Sequence, residues 1–268
     1  MPEANYDRRD LLNRRSPLRI YTGMANAKKV ALITGANKGL GYEMARQLAE
    51  KGVTVVMAAR DQAKGEAAVE KLKKVGLDVQ FLKLDVTNKK DYAQAAEFLE
   101  KNFGKLNILI NNAGISADGL AGTSVSTTKE QSLRNTFETN FFAPIALTQA
   151  LLPLLRKSEA GRIVNMSSIL GSQTLHADPG STIYNFKSLS YDASKAALNS
   201  FTIHLAHELK DTNIKVNSAH PGWVKTDMGT DAAPMEIPEG GKTGVALALL
   251  DESGPSGGFF HLGQALPW

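Results

Sequence analysis

Tyr191 and Lys195 stand four residues apart in a stretch of helical period. On a helix that spacing puts a phenol and an ammonium on one face, a single turn apart. A free phenol ionises near pH 10, too high for efficient proton exchange at neutral pH, and a neighbouring cation stabilises its phenolate. The pair is therefore a candidate acid/base, with Tyr191 as the acid when a substrate oxygen has to be protonated. A tyrosine and a lysine at this spacing also occur on plain helix surfaces, so the pair gains weight only from its company. Ser167-Ser168 lies upstream, at the end of an apolar run. Far earlier comes Thr34-Gly35-Ala36-Asn37-Lys38-Gly39-Leu40-Gly41, between a β-branched run and a helical one. A tight glycine turn in that place lets backbone N–H groups and the positive end of a helix approach a pyrophosphate with no Cβ in the way. The same glycines would serve a plain strand-to-helix joint, and the triplet alone does not decide between the two.

Such groups need elements to hold them. From Val30 onward, short β-branched runs alternate with longer helical segments, the pattern of βαβ units and a parallel sheet. Strands are expected at 30–34, 53–59, 79–84, 107–111, 162–166, 215–219 and 258–262, and helices at 40–51, 62–75, 89–102, 129–157, 191–210 and 240–250. This predicts a single doubly wound α/β Rossmann domain over 28–268, with a seven-stranded parallel sheet flanked by helices. Ligands collect at the carboxyl ends of the strands in such a sheet, which is where the glycine turn, Ser168 and Tyr191 fall.

Composition removes several chemistries. The 268 residues contain no cysteine, so there is no disulfide frame, thiolate nucleophile or sulfur metal site, and a cytoplasmic location is expected. His204 and His207 stand three apart without the glutamate of a zinc pattern, and His176, His220 and His261 are scattered, so no metal is expected. The net charge is +4, but residues 1–23 hold five Arg against three acids and supply +2 of it. The remaining body shows no basic stripe for nucleic acid, and no apolar run has the length of a membrane helix. Residues 1–27 are expected to be a disordered extension, since they are polar and lack apolar periodicity. Arg14-Arg15 has the look of an export signal, but no apolar stretch follows it, and Met24 is an alternative natural start.

The glycine turn, Asp85-Val86, Asn111-Asn112-Ala113-Gly114, Ser168, Tyr191-Asp192-Ala193-Ser194-Lys195 and Pro221-Gly222-Trp223-Val224-Lys225-Thr226 follow one another in the order of the short-chain dehydrogenase/reductase family, which the chain resembles from Lys29 to Phe260. The stretch 58–66 and the ending 257–268 are most similar to the carbonyl-reductase branch. The resemblance implies hydride transfer between a nicotinamide cofactor and a carbonyl or alcohol. It implies that Gly35, Asn37, Lys38, Gly39, Leu40 and Gly41 cradle the pyrophosphate, that Asp85 and Val86 meet the adenine, and that Asn112, Ala113 and Gly114 line the cofactor. Ser168 would bond the substrate oxygen, with Ser167 as the fallback, and Lys195 would hold the nicotinamide ribose beside Tyr191. Asn140 would support a proton-relaying water, although as a residue it also reads as a polar kink ahead of Pro144. Pro221, Gly222, the Val224 backbone and the Thr226 hydroxyl would hold the carboxamide.

Which cofactor is used turns on the end of the second strand, where a carboxylate would bond the ribose and repel a 2′-phosphate. Ala59 holds that place and Arg60 follows, while Lys38 adds a second positive charge, so NADP(H) is expected over NAD(H), with Asp61 as the residue that could still serve NAD. Ser168 and Tyr191 are 23 positions apart, more than most members of the family use, with 176–190 as the insert. It is expected either to wall the substrate pocket or to cover a helix face used for dimerisation, which leaves a homo-oligomer or a monomer open. The segments 115–123 and 227–238 should shape the pocket, and Pro234, Met235, Ile237 and Pro238 suggest an apolar lid and an apolar small-molecule substrate. A protein of this fold that senses NADP(H) without chemistry is the alternative, and the joint presence of Ser168, Tyr191 and Lys195 favours the enzyme.

Overall fold

A computed structural model describes residues 28–119 and 124–268. The expected extension 1–27 and the tip 120–123 of the first pocket segment lie outside the described residues. The chain runs β1 (Val30–Thr34), α1 (Gly39–Glu50), β2 (Thr54–Ala59), α2 (Gln62–Lys73), β3 (Val79–Lys83), α3 (Lys89–Phe103) and β4 (Ile108–Asn111). Next come α4 (Glu130–Phe137), a π-helical turn (Glu138–Phe142), α5 (Ala143–Arg156), β5 (Arg162–Met166), α6 (Gln173–Ala177) and α7 (Leu189–Glu208). The last elements are β6 (Lys215–Ala219), α8 (Ile237–Gly240), α9 (Lys242–Ala248), β7 (Phe259–His261) and β8 (Gln264–Ala265).

The sheet has the order β3-β2-β1-β4-β5-β6-β7-β8. Ladders from β3 to β7 are parallel, so the expected Rossmann-like class holds. The expected count of seven does not: β8 pairs antiparallel with β7 at the edge, Phe260 facing Ala265. Two residues with Gly263 before them carry no strand pattern of their own; the hairpin turn at Gly263, with φ +83°, creates the pairing.

β1 shows why its run is apolar throughout. Ala31 and Ile33 enter one core with α1, α2 and α9, while Val30 and Leu32 enter the other with α3, α5 and α7. A strand covered on both faces loses its polar alternation. The expected continuous helix 129–157 is broken at Glu138–Phe142 by a π turn, one residue wider than an α turn. The break falls at Asn140, whose side chain leaves the helix for other partners.

Candidate active site

The strand order reverses between β2-β1 and β1-β4, and the glycine turn leaves β1 at that point. Gly35 takes φ +65°, a left-handed backbone that favours glycine. A Cβ on Gly41 would lie 2.5 Å from the Gly35 carbonyl oxygen and 2.6 Å from Asn112 Nδ2, so α1 can begin this close only without a side chain there. Among the described residues no side chain caps α1, which leaves its first N–H groups for an anion. Asn112 holds the turn by donating from Nδ2 to the Thr34 carbonyl at 2.8 Å. Thr34 Oγ1 in turn accepts from the backbone N–H of Asn112 and of Ala113, each at 3.0 Å. The side chains at these positions thus build the cradle, and the backbone and glycine faces remain for a ligand; a nicotinamide dinucleotide fits it.

Asp85 sits where β3 ends, its carboxylate accepting from Thr87 N–H at 2.9 Å and from the Thr87 hydroxyl at 2.8 Å. Val86 is half-buried and its carbonyl accepts from Tyr92. Beyond β2, Arg60 is exposed and makes no ion pair among the described residues. Asp61 is turned into its own helix, capping α2 by accepting from Lys64 N–H at 3.0 Å. Lys38 is ion-paired with Asp227 of the 227–238 segment, so its charge is shared rather than free as the sequence suggests.

Ser168 follows β5, and α7 begins two residues before Tyr191. Ser168, Tyr191 and Lys195 are all buried. The Lys195 ammonium donates to the Met166 carbonyl at 2.8 Å and lies 5.5 Å from the Tyr191 ring centroid. Burial pushes the Tyr191 phenol up to about 12, with Asp192 adding to the rise, while hydrogen bonding from Ser168 draws it back in part. Burial also pushes the Lys195 ammonium down to about 8. Of these causes the Ser168 hydrogen bond favours the phenolate, and desolvation outweighs it.

Asn140 is wholly buried and grips Ile115 at both ends of its amide, Oδ1 accepting from the Ile115 N–H at 2.9 Å and Nδ2 donating to its carbonyl at 2.8 Å. Nδ2 also donates to Ser194 Oγ at 3.0 Å, and that hydroxyl donates to the Tyr191 carbonyl at 2.7 Å. A Cβ on Gly114 would lie 3.4 Å from both Asn140 Oδ1 and Lys195 Nζ, so three sequence-distant motifs meet around one glycine.

After β6, Gly222 takes φ +94°, and a side chain there would strike Met235 Sδ at 2.7 Å. Pro221 is half-buried, Val224 is buried, and Thr226 Oγ1 accepts from Gly229 N–H at 3.2 Å. Met235 is half-buried against this segment, whereas Pro234 and Pro238 are exposed. The 176–190 insert is ordered turns with Ile183 buried. Ser188 Oγ donates to the Gly119 carbonyl at 3.1 Å and Ser190 Oγ to Asp118 at 2.9 Å, tying the insert's end to the 115–119 segment.

Sequence reasoning gave no role to Thr34, Ser194, His176 or Asp192. Thr34 was visible as the residue before the glycine turn, and Ser194 and Asp192 lie inside the Tyr-Lys motif, but their partners come from distant segments. Buried His220 accepts from Ile169 N–H at 3.2 Å, and burial with the nearby His261 pushes it down to about 3, so it stays neutral.

Fold and site together define an oxidoreductase of the dinucleotide-binding α/β class. The family model described as short chain dehydrogenase matches residues 29–237, and the chain belongs to the short-chain dehydrogenase/reductase family. It is 34% identical to Carbonyl reductase (NADPH) 3 of Rattus norvegicus, over 87% of this chain and 96% of that one. It is 33% identical to (-)-isopiperitenone reductase of Mentha piperita, over 91% and 99%. The structure of NADPH-bound carbonyl reductase from chicken fatty liver superposes with a TM-score of 0.78 at 30% identity, covering 91% of this chain and 100% of that one. Among the described residues no helix is long and apolar enough to cross a membrane.

Proposed function

We propose that the protein is an NADP(H)-dependent carbonyl reductase, converting a ketone, aldehyde or quinone to an alcohol, with residues 28–268 acting as one unit. The observation that carries this reading is the meeting of Gly114, Asn140 and Lys195 beside buried Tyr191 and Ser168, at the carboxyl ends of the strands and next to the glycine turn.

The cofactor, when bound, supplies the hydride. Gly35, Asn37, Lys38, Gly39, Leu40 and Gly41 hold its pyrophosphate, Asp85 and Val86 its adenine, and Asn112 to Gly114 with Pro221, Gly222, Val224 and Thr226 its nicotinamide half. Arg60 takes the 2′-phosphate, since its fork makes no ion pair among the described residues and Asp61 caps its own helix. Ser168 holds the substrate oxygen and Tyr191 gives it a proton. A phenol at about 12 is fully protonated at neutral pH, which suits the acid of a reduction. The alkoxide that receives the proton is roughly as basic as hydroxide, a much stronger base than the Tyr191 phenolate, so the transfer still runs downhill. Lys195 orients the ribose, and Asn140 holds the segment that forms one wall. The NADPH in the names of the rat and chicken relatives supports the same cofactor.

The test is a panel of aldehydes, ketones and quinones followed by NADPH absorbance. NADPH oxidation dependent on one of these classes, with NADPH preferred to NADH, is expected. Tight NADPH binding with no turnover on any of them would overturn the reading in favour of a cofactor-sensing protein.

A further inference from the structure

His176 joins three segments that the reaction needs but that share no sequence motif. Its Nε2 approaches the Leu170 carbonyl at 2.8 Å, and because a carbonyl only accepts, the ring carries its proton there. The same nitrogen lies 3.4 Å from Asp192 Oδ2. The other ring nitrogen is then an acceptor and faces Lys187 Nζ at 3.1 Å. That ammonium also donates to the His176 carbonyl at 2.9 Å and sits 4.8 Å from the centre of the Tyr184 ring. Asp192 Oδ2 accepts from Ser188 N–H at 2.8 Å, closing the first turn of α7, while its Oδ1 is buried without a hydrogen-bond partner among the described residues.

The connections lead to the site on both sides. Leu170, whose carbonyl His176 holds, donates its own N–H to Ser168 Oγ at 3.2 Å. Asp192 is the residue after Tyr191. The groups that face Asp192 are His176 from α6, Lys187 from the insert and Tyr191 on its own helix; Asp118 of the 115–119 segment lies against the same turn through Ser190. We propose that His176 and Asp192 are positioning residues for the carbonyl reduction proposed above: they lock the 176–190 insert and the Ser168 loop to the turn that carries Tyr191, and one proton taken up by the pair releases the lock and lowers turnover.

Both sites of uptake give that result. A proton on His176 Nδ1 removes the acceptor that holds Lys187 and sets two cations 3.1 Å apart. A proton on Asp192 removes the carboxylate charge that balances Lys187 and the acceptor beside His176 Nε2. Burial pushes Asp192 up to about 6 even though His176 and Lys187 draw it down, so the change falls within reach of ordinary acid conditions. The proposal rests on the reductase reading only for its activity readout.

Full-length wild type, D192N and H176Q are compared from pH 5 to 9, with kcat on the best carbonyl substrate, the NADPH Kd and amide hydrogen exchange of residues 178–187, corrected for intrinsic rates. Wild-type kcat is expected to fall through a one-proton limb near pH 6, with faster exchange of 178–187 below it. D192N is expected to flatten the limb, with a kcat about fivefold lower at pH 8, and H176Q to weaken it, both with NADPH Kd within about twofold of wild type. H176Q keeps a donor for Leu170 but cannot titrate, so it carries the test if D192N does not fold. An acid limb and an exchange profile unchanged in H176Q would overturn the proposal. A wild type without reductase activity whose exchange still loosens in acid, and does not in H176Q, supports the lock and overturns the reductase reading instead.

Discussion

The Lys195 ammonium lies over the face of the Tyr191 ring, 5.5 Å from its centroid, and both side chains are buried. At that distance the ring quadrupole attracts the cation, and the lost water moves the two ionisations in opposite directions. The phenol rises to about 12 and the ammonium falls to about 8. Between those values Tyr191 stays protonated, which is the state an acid must start from.

Removing only the phenol oxygen therefore removes the proton source and leaves the fold. Tyr191→Phe is expected to lower kcat for carbonyl reduction by about 10²–10⁴-fold, the usual range for a positioned acid. Its NADPH Kd by fluorescence titration should stay within about threefold of wild type, because the cradle is built by Gly35, Gly41, Thr34 and Asn112. Retained turnover would assign the proton to another group.

Lys195 carries a stability consequence with a definite sign. Its folded pKa of about 8 lies below the 10.5 of a free lysine, so folding is penalised while the ammonium is charged. The penalty is full below about pH 8 and fades as pH rises toward 10.5. It amounts to about 3 kcal/mol, offset by about 1 kcal/mol for the bond to Met166. Lys195→Met should thus be inactive yet more stable than wild type at pH 7 by about 2 kcal/mol in urea unfolding, with the gain shrinking by pH 9.5. A variant less stable than wild type at both pH values contradicts this account.

Much of the site could be read without coordinates because its signals are local. Tyr191 and Lys195 lie on one helix, and the glycine turn joins adjacent elements, so spacing alone carries their geometry. The β1–β7 framework was legible from apolar runs for the same reason. The illegible parts depend on long-range pairing. β8 exists only because Gly263 turns it onto β7, and the π turn at Asn140 forms where the amide finds Ile115 and Ser194, 25 and 54 residues away. Lys38 reads as a free cation, and only the fold brings Asp227, 189 residues on, into an ion pair with it.

Cofactor choice follows from the end of β2. Arg60 is exposed and makes no ion pair among the described residues, whereas Asp61 accepts from Lys64 N–H and pairs with the Lys64 ammonium at 3.4 Å. Arg60→Ala is expected to raise KM for NADPH by about 10–100-fold and to leave KM for NADH within about threefold, since the lost contact is to the 2′-phosphate alone. Asp227→Asn should act the other way, freeing Lys38 and lowering KM for NADPH by about twofold, a small effect because the pair is exposed. Initial rates with both cofactors at fixed carbonyl concentration measure these three values.

The insert offers two roles that one deletion separates. Its end is bonded to Gly119 and Asp118, beside the first turn of α7, and Ile183 anchors its middle. Replacing 178–186 with a short glycine linker is expected to widen the range of carbonyls accepted, because a wall of the pocket is gone. If the insert instead covers a helix face, sedimentation will show a new dimer while the substrate range stays as it was. Unchanged range and unchanged mass remove both roles.

Asn140 should weigh on stability as well as rate. Its fully buried amide satisfies the N–H and the carbonyl of half-buried Ile115. Truncation leaves both without partners, at about 1–3 kcal/mol for each. Asn140→Ala is therefore expected to lose about 3 kcal/mol, which for a chain of this size lowers Tm by about 6–12 °C. Because Ile115 begins the segment that faces Ser188 and Ser190, the variant should also raise KM for the carbonyl more than KM for NADPH. Calorimetry and a two-substrate kinetic analysis give the two readings, and an unaltered Tm would mean that water replaces the amide without loss.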